Sequence, residues 1–158
     1  MSPNVTLSKT GDSRIEVKKS VFIGRSFHIS SPEEAAEYLA QERKKYPDAR
    51  HLCYAWVTGG ENSRQKSSDD GEPQGTAGQP LLELLTSNGF TDSMICVTRY
   101  FGGTLLGTGG LVRAYTDAAK AALDVSDVRT VSHKAVMKLT MSYNDSGKIN
   151  FYIASAGY

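Results

Sequence analysis

The chain has 158 residues, enough for one ordinary domain or for one domain with a small appendage. Apolar residues make up 39% of it and charged residues 22%, which excludes a wholly disordered chain. The net charge of +1 excludes a globally basic surface, so any contact with nucleic acid must come from a local patch. The first fourteen residues lack a signal-peptide core, and no apolar run is long enough to span a membrane, so we expect a cytoplasmic protein without membrane contact.

The first elements in chain order are a predicted hairpin and a predicted helix. Residues 14–29 alternate apolar and polar side chains as a hairpin does, with the turn near residues 18–19. Ser31 as the capping residue, the proline that follows it and Glu34 as the partner in a capping box predict the start of a helix. We expect this helix to end before Pro47, because the residue before a proline disfavours helical backbone.

A strand, a loop and a second helix follow. HLCYAWVTGG, residues 51–60, predicts a buried strand that ends at a Gly-Gly turn. Residues 59–75 are polar and rich in turn formers, which predicts a long loop. Thr76 is the predicted start of a helix that carries four leucines on one side and ends at Gly89.

The remaining elements complete the prediction of the fold. SMICVTRY, residues 93–100, is a third apolar strand, and the glycine stretch RYFGGTLLGTGGLVRAY, residues 99–115, leads from it into a third helix. Residues 135–143 alternate apolar and polar as a half-buried strand does. Because strands and helices intermix along the chain, we expect an α/β two-layer sandwich.

The glycine stretch supports two interpretations from its spacing. In the first it is an anion site, because the amides at a helix start and the helix dipole converge on one point. Thr108 would cap that helix, while Gly109 and Gly110 would leave its backbone open to close approach. Arg99 and Arg113 would add guanidinium donors for phosphate or carboxylate. In the second interpretation the glycines only permit tight turns and close packing.

The acidic loop SSDDGEPQGTAGQP also has two interpretations. Its carboxylates, on Asp69, Asp70 and Glu72, are oxygen ligands of the kind that divalent cations prefer. Alternatively they cap turns and pair with arginines, which would join the two glycine-rich loops. The candidate partners of such pairs are Arg64, Arg99 and Arg113. We favour the structural role, since the calcium-loop pattern is absent, and we expect neither a metal nor a cofactor.

His51 and Cys53 are the candidates for a thiol catalyst. Side chains two residues apart on one strand share a face but lie about 6.6 to 7 Å apart, which is too far for a base and its nucleophile. We therefore expect His51 to be a partly buried histidine with a hydrogen-bond partner, and we predict no catalytic residue. Five aromatic side chains near the loops would suit base stacking but are expected to be mostly core: Tyr54, Trp56, Tyr100, Phe101 and Tyr115.

Three blocks of the sequence resemble one known family. DARHLCYAWVTGG, SSDDGEPQGTAGQPLLELL and VTRYFGGTLLGTGGLVRAYTDAA resemble the signature blocks of the IMPACT family, the YigZ-like proteins of bacteria, in order and at the family's spacing over about residues 15–125. The resemblance implies a cytoplasmic domain of the type found in ribosomal proteins and in domain IV of elongation factors, with a mixed sheet and helices on one face. It also implies a role in translation control, since eukaryotic members antagonise a starvation-responsive kinase by competing for its activator protein.

The resemblance carries over a surface for a ligand or partner and no catalytic residue. The residue pattern adds His51 and Thr108 to that surface. The residues carried over are Asp69, Asp70, Gly71, Glu72, Gly75, Thr76, Arg99, Tyr100, Gly102, Gly103, Gly107, Gly109, Gly110, Arg113 and Tyr115.

The end of the chain departs from the bacterial pattern and suggests a division into two parts. Residues 1–130 form the predicted IMPACT-type domain, and residues 131–158 resemble the opening strand and part of the first helix of a truncated ferredoxin-like domain. A lone strand and helix cannot bury their own apolar face. We therefore expect this segment to dock on the first domain, to pair between subunits, or to fray.

Two functions compete at this point. The favoured hypothesis is a non-catalytic translation-regulation module that binds the ribosome, RNA or a translation-control protein, with room for a small anion at the glycine-rich helix start. The alternative is an enzyme that acts on a phosphorylated small molecule in the cleft between the DDGEP and RYFGG loops. In that alternative Asp69 or Asp70 would bind magnesium, and residues 108–110 would hold the phosphate.

Overall fold

The computed structural model describes residues 4–59, 63–132 and 134–157. The strands are β1 (Val5–Leu7), β2 (Gly11–Val17), β3 (Ser20–His28), β4 (His51–Thr58), β5 (Arg64–Ser68), β6 (Ser93–Tyr100) and β7 (Val128–Thr130). The helices are α1 (Pro32–Lys45), α2 (Gly78–Ser87), α3 (Gly107–Asp124) and α4 (Tyr143–Ser155). The main sheet has the order β2-β3-β6-β4-β5, and β1 pairs with β7 in a separate two-stranded sheet.

The predicted hairpin and first helix are confirmed. β2 and β3 pair antiparallel, and the two turn residues, Lys18 and Lys19, have φ angles of 47° and 65°. Two successive positive φ angles are typical of the tight turn that matches the twist of paired strands. At the start of α1 the Ser31 hydroxyl accepts from the Glu34 amide at 3.2 Å, while the Glu34 carboxylate accepts from the Ser30 amide at 2.7 Å. α1 ends at Lys45 with its cap just before the proline, as predicted.

The α+β class is confirmed, but two predicted details of the sheet are wrong. Every strand pair that the described residues form in the main sheet is antiparallel, so this sheet is not mixed. Helices cover both of its faces: Cys53 and Ala55 of β4 pack in the core with α2 and α3, while Leu52 and Trp56 pack in a second cluster with α1. The reason that helices lie on both faces is found in β6. Seven consecutive residues of this strand are buried, and because successive side chains point to opposite faces, both faces of the sheet must be covered. The likeness to elongation-factor domains stays a prediction.

The predicted long loop contains a strand. Residues 64–68 form β5, which pairs antiparallel with β4, whereas residues 60–62, including Gly60 of the predicted Gly-Gly turn, lie outside the described residues. β5 is an edge strand with mostly exposed polar side chains, so its sequence has the composition of a loop. Among the described helices, none is long and apolar enough to cross a membrane.

The two ends of α2 differ in how well they were predicted. Thr76 does not cap the helix: its hydroxyl donates to the Pro73 carbonyl at 2.6 Å, and α2 begins at Gly78. Gly89 ends the helix as predicted, with a φ of 71°. The following amide, of Phe90, donates to the Leu85 carbonyl at 3.0 Å, which is the six-residue closure typical of a glycine-terminated helix.

The strand predicted over residues 135–143 does not form. Residues 134–142 have no regular structure, and the helix after them, α4, has no buried residue within its described part. The apolar side chains of this segment are exposed, with Val136 at 97% and Met137 at 81%. An alternating sequence makes a strand only where a neighbouring strand pairs with it, and the described residues provide none here. Docking on the first domain is therefore not seen, while subunit pairing, fraying and the division at residue 130 stay predictions.

Candidate binding cleft between the acidic and glycine-rich loops

Glu72 connects the acidic loop to the strand and helix that flank the glycine stretch. Its carboxylate oxygen Oε1 accepts from Nη1 of Arg99 at 2.6 Å and from the hydroxyl of Tyr115 at 2.6 Å. Both ionic groups are buried, since Glu72 is 8% and Arg99 is 4% exposed. The predicted pairing of the acidic loop with Arg99 is thus confirmed, and it links the loop to β6 and α3.

The rest of the Arg99 guanidinium is held by neutral groups. Nη2 donates to the Ser20 hydroxyl at 3.3 Å. The central carbon of the guanidinium lies 5.5 Å from the ring centre of Phe22 and 5.6 Å from that of Phe101, within cation–π distance of both rings. Nε has no hydrogen-bond partner among the described residues. Arg99 is therefore a structural connection first, and one of its donor atoms remains unused.

Asp69 caps α2 in place of the threonine that the sequence suggested. Its Oδ1 accepts from the amides of Ala77 at 3.0 Å and Gly78 at 2.8 Å, and its Oδ2 accepts from the Gly75 amide at 2.9 Å. Partial burial acts to raise the pKa of the Asp69 carboxyl, but the three amide donors outweigh it and leave the pKa below its ordinary value of 3.8. The positive end of the α2 dipole thus has an internal anion.

Asp70 is also fully engaged by the fold. Oδ2 accepts from the Leu52 amide at 2.7 Å, and Oδ1 pairs with Nη2 of Arg43 at 2.9 Å. The backbone turns here through two left-handed residues, Asp70 with φ 42° and Gly71 with φ 86°. The carboxylates of this loop therefore serve as caps and ion-pair partners, and the described residues contain no group of three potential metal ligands.

His51 and Cys53 face separate partners and form no dyad. Nδ1 of His51 donates to the Asp70 carbonyl at 2.8 Å, which leaves Nε2 at 3.8 Å from Oε2 of Glu72. The thiol of Cys53 donates to the Asp69 carbonyl at 3.0 Å. Burial, more than the neighbouring carboxylates, raises the pKa of that thiol, so it stays protonated. The expected role of His51, a partly buried histidine with a hydrogen-bond partner, is confirmed.

A cleft of about 340 Å³ lies between the two loops, directly above these groups. His51, Glu72 and Arg99 form its polar floor. Its wall is apolar, made by Phe101, Leu105, Leu106 and Leu111, and its rim carries Arg50, Pro73, Gly107 and Thr108. A larger depression of about 620 Å³ lies between α2 and α3 and is lined by none of the predicted residues. The cleft is therefore the part of the predicted surface that is both concave and lined by polar and charged side chains.

Several predicted site residues lie outside this cleft. Tyr100 donates to Asp48 at 2.9 Å, away from the neighbouring Arg99, because consecutive strand residues face opposite sides. Arg113 is exposed on α3 and lines a smaller depression of about 210 Å³ with Lys18 and Gly110. The predicted surface is thus divided in two by the start of α3.

The glycines of the stretch have different structural reasons. A Cβ on Gly102 would lie 2.1 Å from the backbone of Lys19, so this glycine is required by packing. Gly103 and Gly107 have φ angles of 87° and 73°, which only glycine adopts without strain. A Cβ on Gly109 would meet nothing within 4 Å, so neither packing nor a positive φ explains this residue.

The predicted cap at the start of α3 is wrong, and parts of the cleft were missed. α3 begins at Gly107, so Thr108 lies inside its first turn, and no side chain in the described part of the molecule caps the helix. Arg50 and Leu105 line the cleft without having been predicted, and Phe101 was expected to be mostly core but is 42% exposed. The sequence did contain a signal for the exposure of Phe101 and Leu105. Both are large apolar residues in a glycine-rich turn segment, and such segments usually lie at the protein surface.

Comparison with known proteins agrees with the three sequence blocks. The model of the Impact N-terminal domain matches residues 18–123. The chain is 39% identical over 144 residues to the IMPACT family member YvyE of Bacillus subtilis, covering 91% of this chain and 66% of that protein. It is 47% identical over 110 residues to the IMPACT family member YigZ of Escherichia coli, covering 68% of this chain and 54% of that protein.

Solved structures give a matching result for the fold. A crystal structure described as that of a hypothetical protein aligns at 34% identity and a TM-score of 0.77, covering 98% of this chain and 76% of that chain. That structure confirms the α+β fold. The chain spans 54% to 66% of the length of the two bacterial relatives. An activity of the full-length relatives therefore does not transfer to this chain by similarity alone.

Proposed function

Because the chain belongs to the IMPACT family through the Impact N-terminal domain at residues 18–123, we propose that it is a non-catalytic binding module in translation regulation. The partner is a component of the translation apparatus, either the ribosome and its RNA or a translation-control protein, met in the cytoplasm. The support for a regulatory role comes from the family, which also includes proteins named IMPACT in yeasts and mammals at 31% to 34% identity over this domain.

The engagement of the loop carboxylates is the observation that carries the proposal. Asp69 accepts three backbone amides, Asp70 accepts one amide and pairs with an arginine, and Glu72 is bound to Arg99 and Tyr115. A carboxylate that acts as a general base must be free to take a proton at the reacting group. The three loop carboxylates instead stabilise the loop, which favours recognition over chemistry.

The groups left exposed around the start of α3 have the character of a contact surface. Arg50 and Arg113 lie on either side of the helix start, and the depression beside Arg113 is also lined by Lys18 and Asp117. Phe101 and Leu105 add apolar surface, since 42% of Phe101 and 82% of Leu105 is exposed to solvent. Exposed aromatic and arginine side chains together are typical of binding hot spots. We therefore place the partner across the start of α3.

Ribosome co-sedimentation and capture from lysate, each with and without nuclease, test the proposal. The double variant Arg50→Ala/Arg113→Ala should lose at least half of the bound material, whereas Arg64→Ala, the same change at an exposed site on β5, should lose none. Loss of binding on nuclease treatment identifies an RNA partner, and persistence identifies a protein. Equal recovery of the double variant and the wild type from both sources would refute the proposed surface.

The enzyme alternative is supported by one observation, the cleft with a histidine and a carboxylate at its floor. If this cleft processed a phosphorylated small molecule, ligand binding would raise the melting temperature of the protein. A panel of phosphate esters, each with and without magnesium, decides the matter. A melting temperature that does not change across the panel excludes this alternative.

A further inference from the structure

We propose that the cleft between the two loops binds one unpaired nucleotide, with the base against the apolar wall and the phosphate at the start of α3. The inference rests on the proposed function and narrows it, since it selects a nucleotide as the chemistry that the partner presents. Its three supports are the wall, the helix start and the charge of the lining residues.

The wall has the size and the side chains for a single base. A cleft of about 340 Å³ is at the small end of the range for small-molecule sites, about 300 to 1,000 Å³. It admits one nucleotide and excludes a helix. Phe101 presents an exposed ring, and Leu105 stands beside it with 82% of its surface exposed. Aromatic rings on single-stranded binding proteins stack bases with little sequence preference.

The helix start has no internal anion, in contrast to its neighbour. The first amides of α2 are satisfied by the Asp69 carboxylate, whereas no side chain caps α3 within the described residues. Gly107 lies in the cleft rim beside Thr108, and the space around Gly109 is open to 4 Å. Backbone amides exposed at a helix start bind phosphate oxygens.

The charge of the lining residues favours an anion independently of the helix. Arg50 lies exposed on the rim, and Arg99 lines the floor at 4% exposure. Glu72 is the one carboxylate among the described residues that line the cleft, and its charge is balanced by Arg99 at 2.6 Å. The unbalanced charge among these lining residues is therefore that of Arg50, which can pair with a phosphate, and no unpaired carboxylate among them opposes it.

The choice of a nucleotide over an acidic peptide follows from where the ring lies. Phe101 stands over the Arg99 guanidinium at 5.6 Å, so the stacking surface and the cationic groups occupy the same small space. A nucleotide joins a flat ring and a phosphate at that scale. An acidic peptide would need two residues to supply a ring and a carboxylate, whereas one nucleotide carries both a ring and a phosphate, so the peptide is the competing outcome of the test.

Fluorescence anisotropy with a labelled single-stranded RNA of about eight nucleotides tests the inference on the full chain. The variant Phe101→Ala should weaken binding about tenfold, and Phe101→Tyr should preserve it, since either ring stacks. Arg50→Ala should weaken binding and flatten its dependence on salt between about 50 and 200 mM, because one phosphate contact is lost. Arg64→Ala is the matched control and should bind like the wild type, and circular dichroism checks that each variant folds.

Competition distinguishes the sources of the nucleotide. Displacement of the RNA by a free mononucleotide at comparable concentration identifies small nucleotides as ligands of the cleft, and displacement only by single-stranded RNA identifies a strand. Both results support the inference. Equal competition by blunt RNA duplex, tighter binding of an acidic peptide, or undiminished binding by Phe101→Ala would overturn it. If ribosome capture still depended on Arg50 and Arg113 in that case, the proposed function would survive without the nucleotide site.

Discussion

The substitution Glu72→Gln removes the counterion of a buried arginine while keeping the shape of the side chain. In the folded protein Arg99 is 4% exposed, and its Nη1 lies 2.6 Å from the carboxylate that the substitution neutralises. The glutamine oxygen still accepts from the Tyr115 hydroxyl, so the hydrogen-bond pattern is largely preserved. The expected loss of stability therefore measures one quantity, the burial of a guanidinium without its charge partner.

The magnitude follows from the environment of Arg99. Removing one member of a buried ion pair destabilises a protein by about 3 to 5 kcal/mol, because the remaining charge stays out of water. The Ser20 hydroxyl at 3.3 Å and the two flanking rings still stabilise the guanidinium, which places the expected loss at the lower end, about 3 kcal/mol. For a domain of this size each kcal/mol lowers the melting temperature by about 2 to 4 °C, so a fall of about 6 to 12 °C is expected.

Urea unfolding followed by the fluorescence of Trp56, the single tryptophan, measures this change. Glu83→Gln is the matched control, since Glu83 is exposed on α2 and its carboxylate accepts from the Gln79 side-chain amide at 3.2 Å, and it should change stability by less than about 0.5 kcal/mol. Adding Arg99→Met to Glu72→Gln should restore part of the loss, because the unpaired charge is then gone. A loss below about 1 kcal/mol for Glu72→Gln would refute the argument that the pair holds the cleft floor.

Three further predictions address the glycines, the helix cap and the thiols. Gly102→Ala should destabilise by more than about 1 kcal/mol in urea unfolding because its Cβ meets backbone at 2.1 Å, whereas Gly109→Ala should be neutral or stabilising, and the reverse order would contradict the packing described. The pKa of Asp69 is lower in the folded protein than its unfolded value of 3.8, so the stabilisation it gives is complete above pH 3.8 and is lost as the pH falls through the folded pKa. Asp69→Asn should therefore flatten the acid limb of a plot of unfolding free energy against pH, and an unchanged acid limb would argue against the cap. Cys53 and Cys96, 0% and 1% exposed with burial raising the pKa of each thiol, should resist iodoacetamide until the protein unfolds, and alkylation of the native protein would show that the sheet opens.

Local sequence patterns were enough to predict those helix ends and turns that depend on contacts between residues close together in the chain. The capped start of α1, the tight turn at residues 18–19 and the glycine end of α2 each rest on contacts within six residues, and all three were predicted. The pairing of Glu72 with Arg99 was predicted as one of several possible pairs between loop carboxylates and arginines. The sequence favoured such pairs because a buried carboxylate and a buried arginine each need a partner of opposite charge.

The parts that the sequence did not reveal depend on long-range contacts. β5 has the composition of a loop because an exposed edge strand needs no apolar side chains, so only its pairing with β4 identifies it. Asp69 replaces Thr76 as the cap of α2 because the chain turns back over residues 69–77, and no local pattern reports that turn. The exposure of Phe101 and Leu105 likewise depends on which surfaces the two loops leave uncovered.

The single oxygen of Glu72 that accepts from both Arg99 and Tyr115 has a consequence for the kinetics of binding. A loop, a strand and a helix meet at this atom, so the floor of the cleft is shaped when the protein folds and needs no rearrangement when a partner arrives. Association should then be a single step, with a rate that rises linearly with partner concentration and falls as salt screens the rim arginine. A cleft assembled only on contact would instead show a rate that reaches a plateau.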